Sequence, residues 1–161
     1  MARKTATSLW FDDNGLEAAE YYASVFEDCE ITNVMTDPGG NPHTTEGQVL
    51  VVDFRIGDQN IQIINGGPHF AVDEAVSVVL ECDSQEEADR YYTELTREGS
   101  EAPCGWCKDK FGLSWQIVPP GVNELFMLED RAAAKRAVEA MMTMTRLDAS
   151  VMQRAAAGDP A

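Results

Sequence analysis

Positive charge is what this sequence has least of: 12 Lys and Arg stand against 28 Asp and Glu, a formal net charge of -16 over 161 residues. Association with nucleic acid through counterion release requires clustered Lys and Arg. Here they are scattered, so no nucleic-acid partner is expected. Long apolar runs are also missing, since nothing approaches the ~20 residues that cross a bilayer. Met1 to Phe11 passes straight into a strand pattern, without the apolar run and small-residue cleavage site of a signal peptide. No membrane partner and a cytoplasmic location are therefore expected. Cysteine is confined to Cys29, Cys82, Cys104 and Cys107, expected as thiols in a reducing compartment rather than as a disulfide framework. Histidine is confined to His43 and His69. At 44% apolar residues the chain can still bury a substantial core.

What is present is a repeat. Glu17-Ala18-Ala19-Glu20-Tyr21-Tyr22 and Glu87-Ala88-Asp89-Arg90-Tyr91-Tyr92 share Glu-Ala and Tyr-Tyr at an offset of 70 residues. At the same offset Asn14 precedes Glu17, and Ser84 precedes Glu87, by three residues, a capping-box arrangement that predicts two helix starts. Upstream of each, Thr5 to Phe11 and Ala75 to Glu81 read as strands. Further strands are expected over Glu30 to Met35, Gln48 to Ile56, Asn60 to Asn65, Glu101 to Trp106 and Leu113 to Val118, with Gly112 turning the chain into the last of them. Ile61-Gln62-Ile63-Ile64 matches Trp115-Gln116-Ile117-Val118 at an offset of 54, which leaves the first copy 16 residues longer. The excess falls in the Pro/Gly-rich stretch Asp37 to His43. The expectation is an α+β fold in a single domain over residues 1–161. Its first βαβββ module covers about 1–70 and its second about 71–120, with a helical tail over 121–161. Arg131 to Met144 and Ser150 to Ala157 read as tail helices, with Met141, Met142 and Met144 as packing fillers.

Leu9-Trp10-Phe11-Asp12, the Glu17 to Tyr22 run, Asn65-Gly66-Gly67-Pro68 and the segment from Cys104-Gly105-Trp106-Cys107 to Trp115-Gln116-Ile117-Val118-Pro119 closely resemble the PhnB-like branch of the vicinal oxygen chelate (glyoxalase/bleomycin-resistance/dioxygenase) superfamily. Its members are often labelled 3-demethylubiquinone-9 3-methyltransferase domain proteins. The resemblance spans roughly residues 5 to 145 and is most specific in the Cys104 to Pro119 segment. It implies tandem modules whose mixed sheets curl around a cavity, and a homodimer. In metal-dependent members the ligands come from the first and last strands of each module. The equivalent places here are Thr5 or Thr7, Gln62, Ala75 or Ser77, and Gln116, none of them His, Asp or Glu. The expectation is therefore no metal and no other cofactor.

The candidate ligand-binding residues are Trp10, Gln62, Asn65, Trp106, Trp115 and Gln116. Gln62 and Gln116 are related by the repeat and flanked by apolar neighbours, so amides turned into a cavity would need polar partners. The tryptophans either fill the core or line a flat pocket, and alternation sends Trp10 and Phe11 to opposite faces. Asn65-Gly66-Gly67-Pro68-His69 is either a backbone approach to a ligand or a tight turn. Cys104, as nucleophile or acid/base, and His69, as general base, are the candidate catalytic residues, with a buried thiol and an exposed loop imidazole as the ordinary alternatives. Cys104 and Cys107 form a CxxC among strands, without the helix N-terminus that redox pairs use. The leading expectation is a small organic molecule bound in a cavity. A metal-assisted lyase or isomerase and an antibiotic-sequestering protein are the alternatives. Methyl transfer is not expected, because no strand runs through a glycine-rich turn into a helix that could cradle a nucleotide-like cofactor.

Overall fold

The computed structural model describes residues 5–159 and divides into two compact units, at Val72 and Asp73. The first contains β1 (Thr7–Phe11), α1 (Gly15–Val25), β2 (Cys29–Thr36), β3 (Val49–Ile56) and β4 (Gln59–Asn65). The second contains β5 (Ser77–Glu81), α2 (Gln85–Thr96), β6 (Ser100–Glu101), β7 (Trp106–Lys108) and β8 (Ser114–Val118). It continues into α3 (Val122–Phe126), α4 (Arg131–Met141) and α5 (Ala149–Ala157). Both sheets are four-stranded with the same order, β1-β4-β3-β2 and β5-β8-β7-β6. In each, the first and last strands pair in parallel and the other pairs are antiparallel. The repeat inferred from short sequence matches is thus a repeat of topology.

One helix covers one face of each sheet. In α1 the small residues Ala18 and Ala19 and the ring of Tyr22 face inward, and Tyr22 stacks on Phe54 with ring centroids 5.6 Å apart. The strand register places Leu9, Phe11, Val52, Ile61 and Ile63 on that dry side. In the second unit Ala88, Tyr91, Tyr92 and Leu95 of α2 play the same part over Cys107, Trp115 and Ile117. Burying each of the larger side chains contributes roughly 1.5–3 kcal/mol.

The two helix starts use different chemistry. Ser84 accepts from the Glu87 amide, and Glu87 takes the Asp83 amide in return, close to the predicted reciprocal cap. Asn14 makes no side-chain cap. The Gly15 amide donates instead to Asn65 Oδ1 at 2.9 Å, so the end of β4 caps α1. Gly15 must be small there, because a Cβ would strike Ile63 and Asn65.

The extra length of the first unit lies in the β2–β3 loop, where buried Asp37 accepts from the Gly39 amide and the Thr44 hydroxyl and its own carbonyl accepts from Gly47. The expected strand from Glu101 to Trp106 is two strands with a turn between them, at positive φ for Cys104 (63°) and Gly105 (81°). The amides of Cys104 and Gly105 are satisfied by the carbonyls of Met144 and Thr145 from the tail. The tail packs Val122, Leu125, Ala133, Ala137, Leu147 and Met152 into its own cluster, with Met141 and Met144 against it and Met142 exposed. The first tail helix, α3, carried no sequence signal strong enough to predict it. Gln85 fastens the tail to α2, donating to the Leu147 carbonyl and accepting from the Ala149 amide. No helix among the described residues is long and apolar enough to cross a membrane.

Asp109, 3% exposed, organises the hairpin before β8 by accepting from the amides of Phe111 and Leu113 and from Trp115 Nε1 at 2.8 Å. Replacing it with Ala strands buried donors, each costing about 1–3 kcal/mol. Asp109→Ala is therefore expected to lower unfolding free energy by about 2–4 kcal/mol in a urea titration, with loss of Trp115 near-UV dichroism. An unchanged midpoint contradicts this role.

Candidate functional site

The face of each sheet turned away from its helix carries the polar residues. In the first unit the register aligns Ser8, Gln62, Asp53 and Asn33 in one row across all four strands. Gln62 Nε2 donates to Asp53 Oδ1 at 2.8 Å, and Asn33 Nδ2 donates to Asp53 Oδ2 at 3.0 Å. Each carboxylate oxygen keeps a further lone pair for a ligand donor. On one side lies an apolar row, Trp10, Ile64, Val51 and Met35. On the other lies a polar row of Asn60, Arg55 and Glu30, in which Arg55 is ion-paired to Glu30 at 2.9 Å.

The second unit repeats the plan with smaller means. Gln116 lies between Val79 of β5 and Trp106 of β7, and its Nε2 donates to Ser77 Oγ at 2.8 Å. Ser114, two residues before it, is paired with Ser77 and Lys108. Its hydroxyl is buried with no hydrogen-bond partner among the described residues. The two glutamines therefore occupy the same place on the last strand of each unit, half-buried, on the open face.

Other predicted residues fall elsewhere. Trp115 is fully buried on the helix side, its indole N–H held by Asp109, so it belongs to the core and not to a ligand surface. Asn65 points away from Gln62, because residues three apart on a strand face opposite sides. Its amide is committed to Gly15, Asp13 and Val49. Trp10 is half-buried and donates to the Gly67 carbonyl at 2.8 Å, with Phe70 edge-on at 5.1 Å. Gly66 lies against the Trp10 ring so closely that a Cβ would overlap it, which explains this glycine by packing. His69 is exposed in the same loop. Cys104 sits in the β6–β7 turn, its Sγ 3.6 Å from Met142 Sδ. Trp10, Gln62, Asn65 and His69 belong to the first unit, and Cys104, Trp106, Trp115 and Gln116 to the second. Asp53 and Asn33 were missed: cross-strand pairing brings them to Gln62, and a bulge between Ile31 and Asn33 shifts the β2 register by one.

A divalent cation held by the first and last strands is implied by metal-dependent relatives of this fold, and the donors here do not fit one. The first-strand position sharing a face with Gln62 is Ser8, not Thr5 or Thr7, so the donors are Ser8 and Gln62 in the first unit and Ser77 and Gln116 in the second. Neutral hydroxyls and amides lack the imidazole, thiolate or carboxylate such ions need. Three cavities among the described residues are lined by neither Gln62 nor Gln116. One, of about 500 Å³, is lined by Asp12, Asp13, Leu16, His43, Thr44, Gln48, Val49 and Asn65. The second lies between α4 and α5 and the third beside Pro119 and Pro120.

A family model described as 3-demethylubiquinone-9 3-methyltransferase matches residues 3–118, which includes both sheets and stops before the tail helices. Among solved structures, a PhnB protein from Bacillus cereus is 27% identical with a TM-score of 0.64, covering 72% of this chain and 98% of its own. Protein PA1353 from Pseudomonas aeruginosa is 20% identical with a TM-score of 0.58, covering 71% and 95%. The fosfomycin resistance protein FosX from Mesorhizobium loti is 12% identical with a TM-score of 0.55, covering 80% and 99%, a likeness of fold alone. A comparison with curated proteins finds no match.

Three of the four thiols are poor nucleophiles. Burial, reinforced by Asp109 and Glu101, pushes Cys107 from 9.0 to about 12. Burial, with Glu87 and Asp83, pushes Cys82 to about 12, and burial with Asp28 pushes Cys29 to about 11. In the unfolded chain these thiols ionise near 9.0, so above that pH the unfolded state has released more protons and stability falls. The denaturation midpoint is expected to drop from about pH 9 up to about pH 11, and the drop to be shallower in Cys107→Ala. A flat profile in the parent chain contradicts the assignment.

Proposed function

The chain belongs to the 3-demethylubiquinone-9 3-methyltransferase family, in the PhnB-like branch of the vicinal oxygen chelate superfamily, and from that premise we propose that the open sheet face of each unit binds a small organic molecule, without a metal ion held by its strands. The observation that carries this reading is the pair of repeat-related glutamines, Gln62 and Gln116, each half-buried on a face that no helix of its own unit covers, Gln62 beside Asp53 and Gln116 beside Trp106. A core would place aliphatic side chains there, since a half-buried amide gains little unless its hydrogen bonds are completed. The unpartnered Ser114 hydroxyl adds a second such group beside Gln116.

Asp53 defines the polarity of the ligand at the first unit. A carboxylate flanked by Gln62 and Asn33 accepts hydrogen bonds, so the fitting group is an amine, amidine or hydroxyl. The same feature favours sequestration of a cationic antibiotic as the second reading. Methyl transfer from a nucleotide-like donor is disfavoured by the turns that lead from β1 and β5 into their helices, Asp12-Asp13-Asn14 and Cys82-Asp83-Ser84, which have no glycine and are acidic where phosphate-like or carboxylate groups would approach. A homodimer remains part of the proposal through the family resemblance.

Native mass spectrometry of the untagged chain, purified without chelator, tests the reading. The expected result is a retained organic mass that is lost in Gln62→Leu and Gln116→Leu and weakened about tenfold or more in Asp53→Asn, with circular dichroism unchanged. Loss of a buried charged hydrogen bond is worth about 1.5–3 kcal/mol, which matches that factor. A stoichiometric metal that disappears on replacing either glutamine overturns the metal-free part. Retention of the ligand in all three variants overturns the site.

A further inference from the structure

The two histidines of the chain, 26 residues apart in sequence, meet. His69 Nε2 lies 3.4 Å from His43 Nδ1, with ring centroids 4.9 Å apart and planes at 82°. We propose that this pair is a binding site for a borderline transition-metal dication, Ni(II), Cu(II) or Zn(II), separate from the open sheet faces. The argument begins with the distance. At 3.4 Å the contact is longer than a usual N–H···O hydrogen bond, about 2.7–3.2 Å. Two imidazoles sharing one tetrahedral ion with metal–nitrogen bonds of about 2.0–2.1 Å place their nitrogens about 3.3–3.4 Å apart. The observed separation fits a shared ion.

Each histidine's backbone is held by local hydrogen bonds that owe nothing to the other. The His43 amide donates to Asn41 Oδ1 at 3.0 Å, and its neighbour Thr44 is tied to buried Asp37. The His69 amide donates to the Gly67 carbonyl at 2.9 Å, the same oxygen that accepts Trp10 Nε1. Two independently built turns thus present nitrogens toward one point, which reduces the entropy lost on chelation. Imidazole suits Ni(II), Cu(II) and Zn(II), and favours them over Mg(II) or Ca(II), which take oxygen. No group of three or more His, Cys, Asp or Glu placed for a metal occurs among the described residues, so water or an incoming ligand completes the coordination. His43 also lines the cavity of about 500 Å³ with Asp12 and Asp13, so an ion there clips the β2–β3 loop to the Gly66-Gly67 turn at the rim of that cavity.

The test is calorimetric titration of the untagged chain with NiCl₂, alongside thermal unfolding with and without the ion. The expected result is one Ni(II) per chain and a rise in melting temperature. Affinity should fall about tenfold or more in each of His43→Gln and His69→Gln, because a lone imidazole loses the chelate, and Cys104→Ser should bind as the parent does. Both histidines are exposed, so the variants are expected to fold, which far-UV dichroism verifies. Absence of binding up to millimolar Ni(II), or parental affinity in either histidine variant, overturns the proposal. Gln62→Leu and Gln116→Leu should leave Ni(II) binding intact, which separates this site from the organic ligand.

Discussion

In each unit a single helix of 11 or 12 residues packs on a four-stranded sheet, and the two-residue period of the strands then divides every sequence between a dry face and an open one. Most of the rest follows from that division. Dry-face positions are filled by Leu9, Phe11, Phe54, Ile61 and Ile63 in one unit and by Trp115, Ile117 and Cys107 in the other. Open-face positions are released from packing and free to carry Gln62, Asp53, Asn33 and Gln116. A one-residue slip of either last strand would bury its glutamine under a helix and expose the core, so register and site are specified together.

The period made much of this legible before any coordinates. The offset between the Tyr-Tyr helices and between the Gln62 and Gln116 strands was enough to predict two sheets of like topology, and alternation sends Trp10 and Phe11 to opposite faces. Sequence reading lost its hold where partners come from distant segments. Asn14 has the composition of a helix cap, yet Asn65, 50 residues from Gly15, does the capping. Trp115 looked available to a ligand because nothing local announces that Asp109 will take its indole N–H. Asp53 reads as an ordinary strand acid until a bulge in β2 and pairing with β4 bring Asn33 and Gln62 to its two oxygens. The Glu101 to Trp106 stretch has strand composition, but a left-handed turn at Cys104 and Gly105 needs the tail's carbonyls to hold it. The histidine pair joins two loops, and loops have no period to read.

The tail shows how a repeated fold acquires something of its own. It lies beyond the matched family segment, and it is built economically: Asp130 and Asp148 cap α4 and α5 with their carboxylates. Arg136 donates to the carbonyls of Ala155 and Ala156 at the far end of α5. Through Gln85 and the Met144 and Thr145 carbonyls it is fixed to α2 and to the turn that carries Cys104. Part of the second unit's shape is therefore supported from outside the repeat.

The two open faces differ in a way that bears on what each can hold. The first has eight-residue strands at β2 and β3, a carboxylate at its centre and an ion pair toward one end. The second has two- and three-residue strands at β6 and β7 and no acidic side chain in the row of Gln116 itself, Val79, Gln116 and Trp106, while Glu81 stands in the next row opposite Val118. Trp106 holds the position equivalent to Asp53, so the second glutamine finds its partner on the parallel neighbour, Ser77, instead. Duplication thus preserved the position of the amide while the chemistry around it diverged. The first face thus offers a hydrogen-bond acceptor, and the second a flatter, less polar surface where Trp106 and Val79 flank the amide.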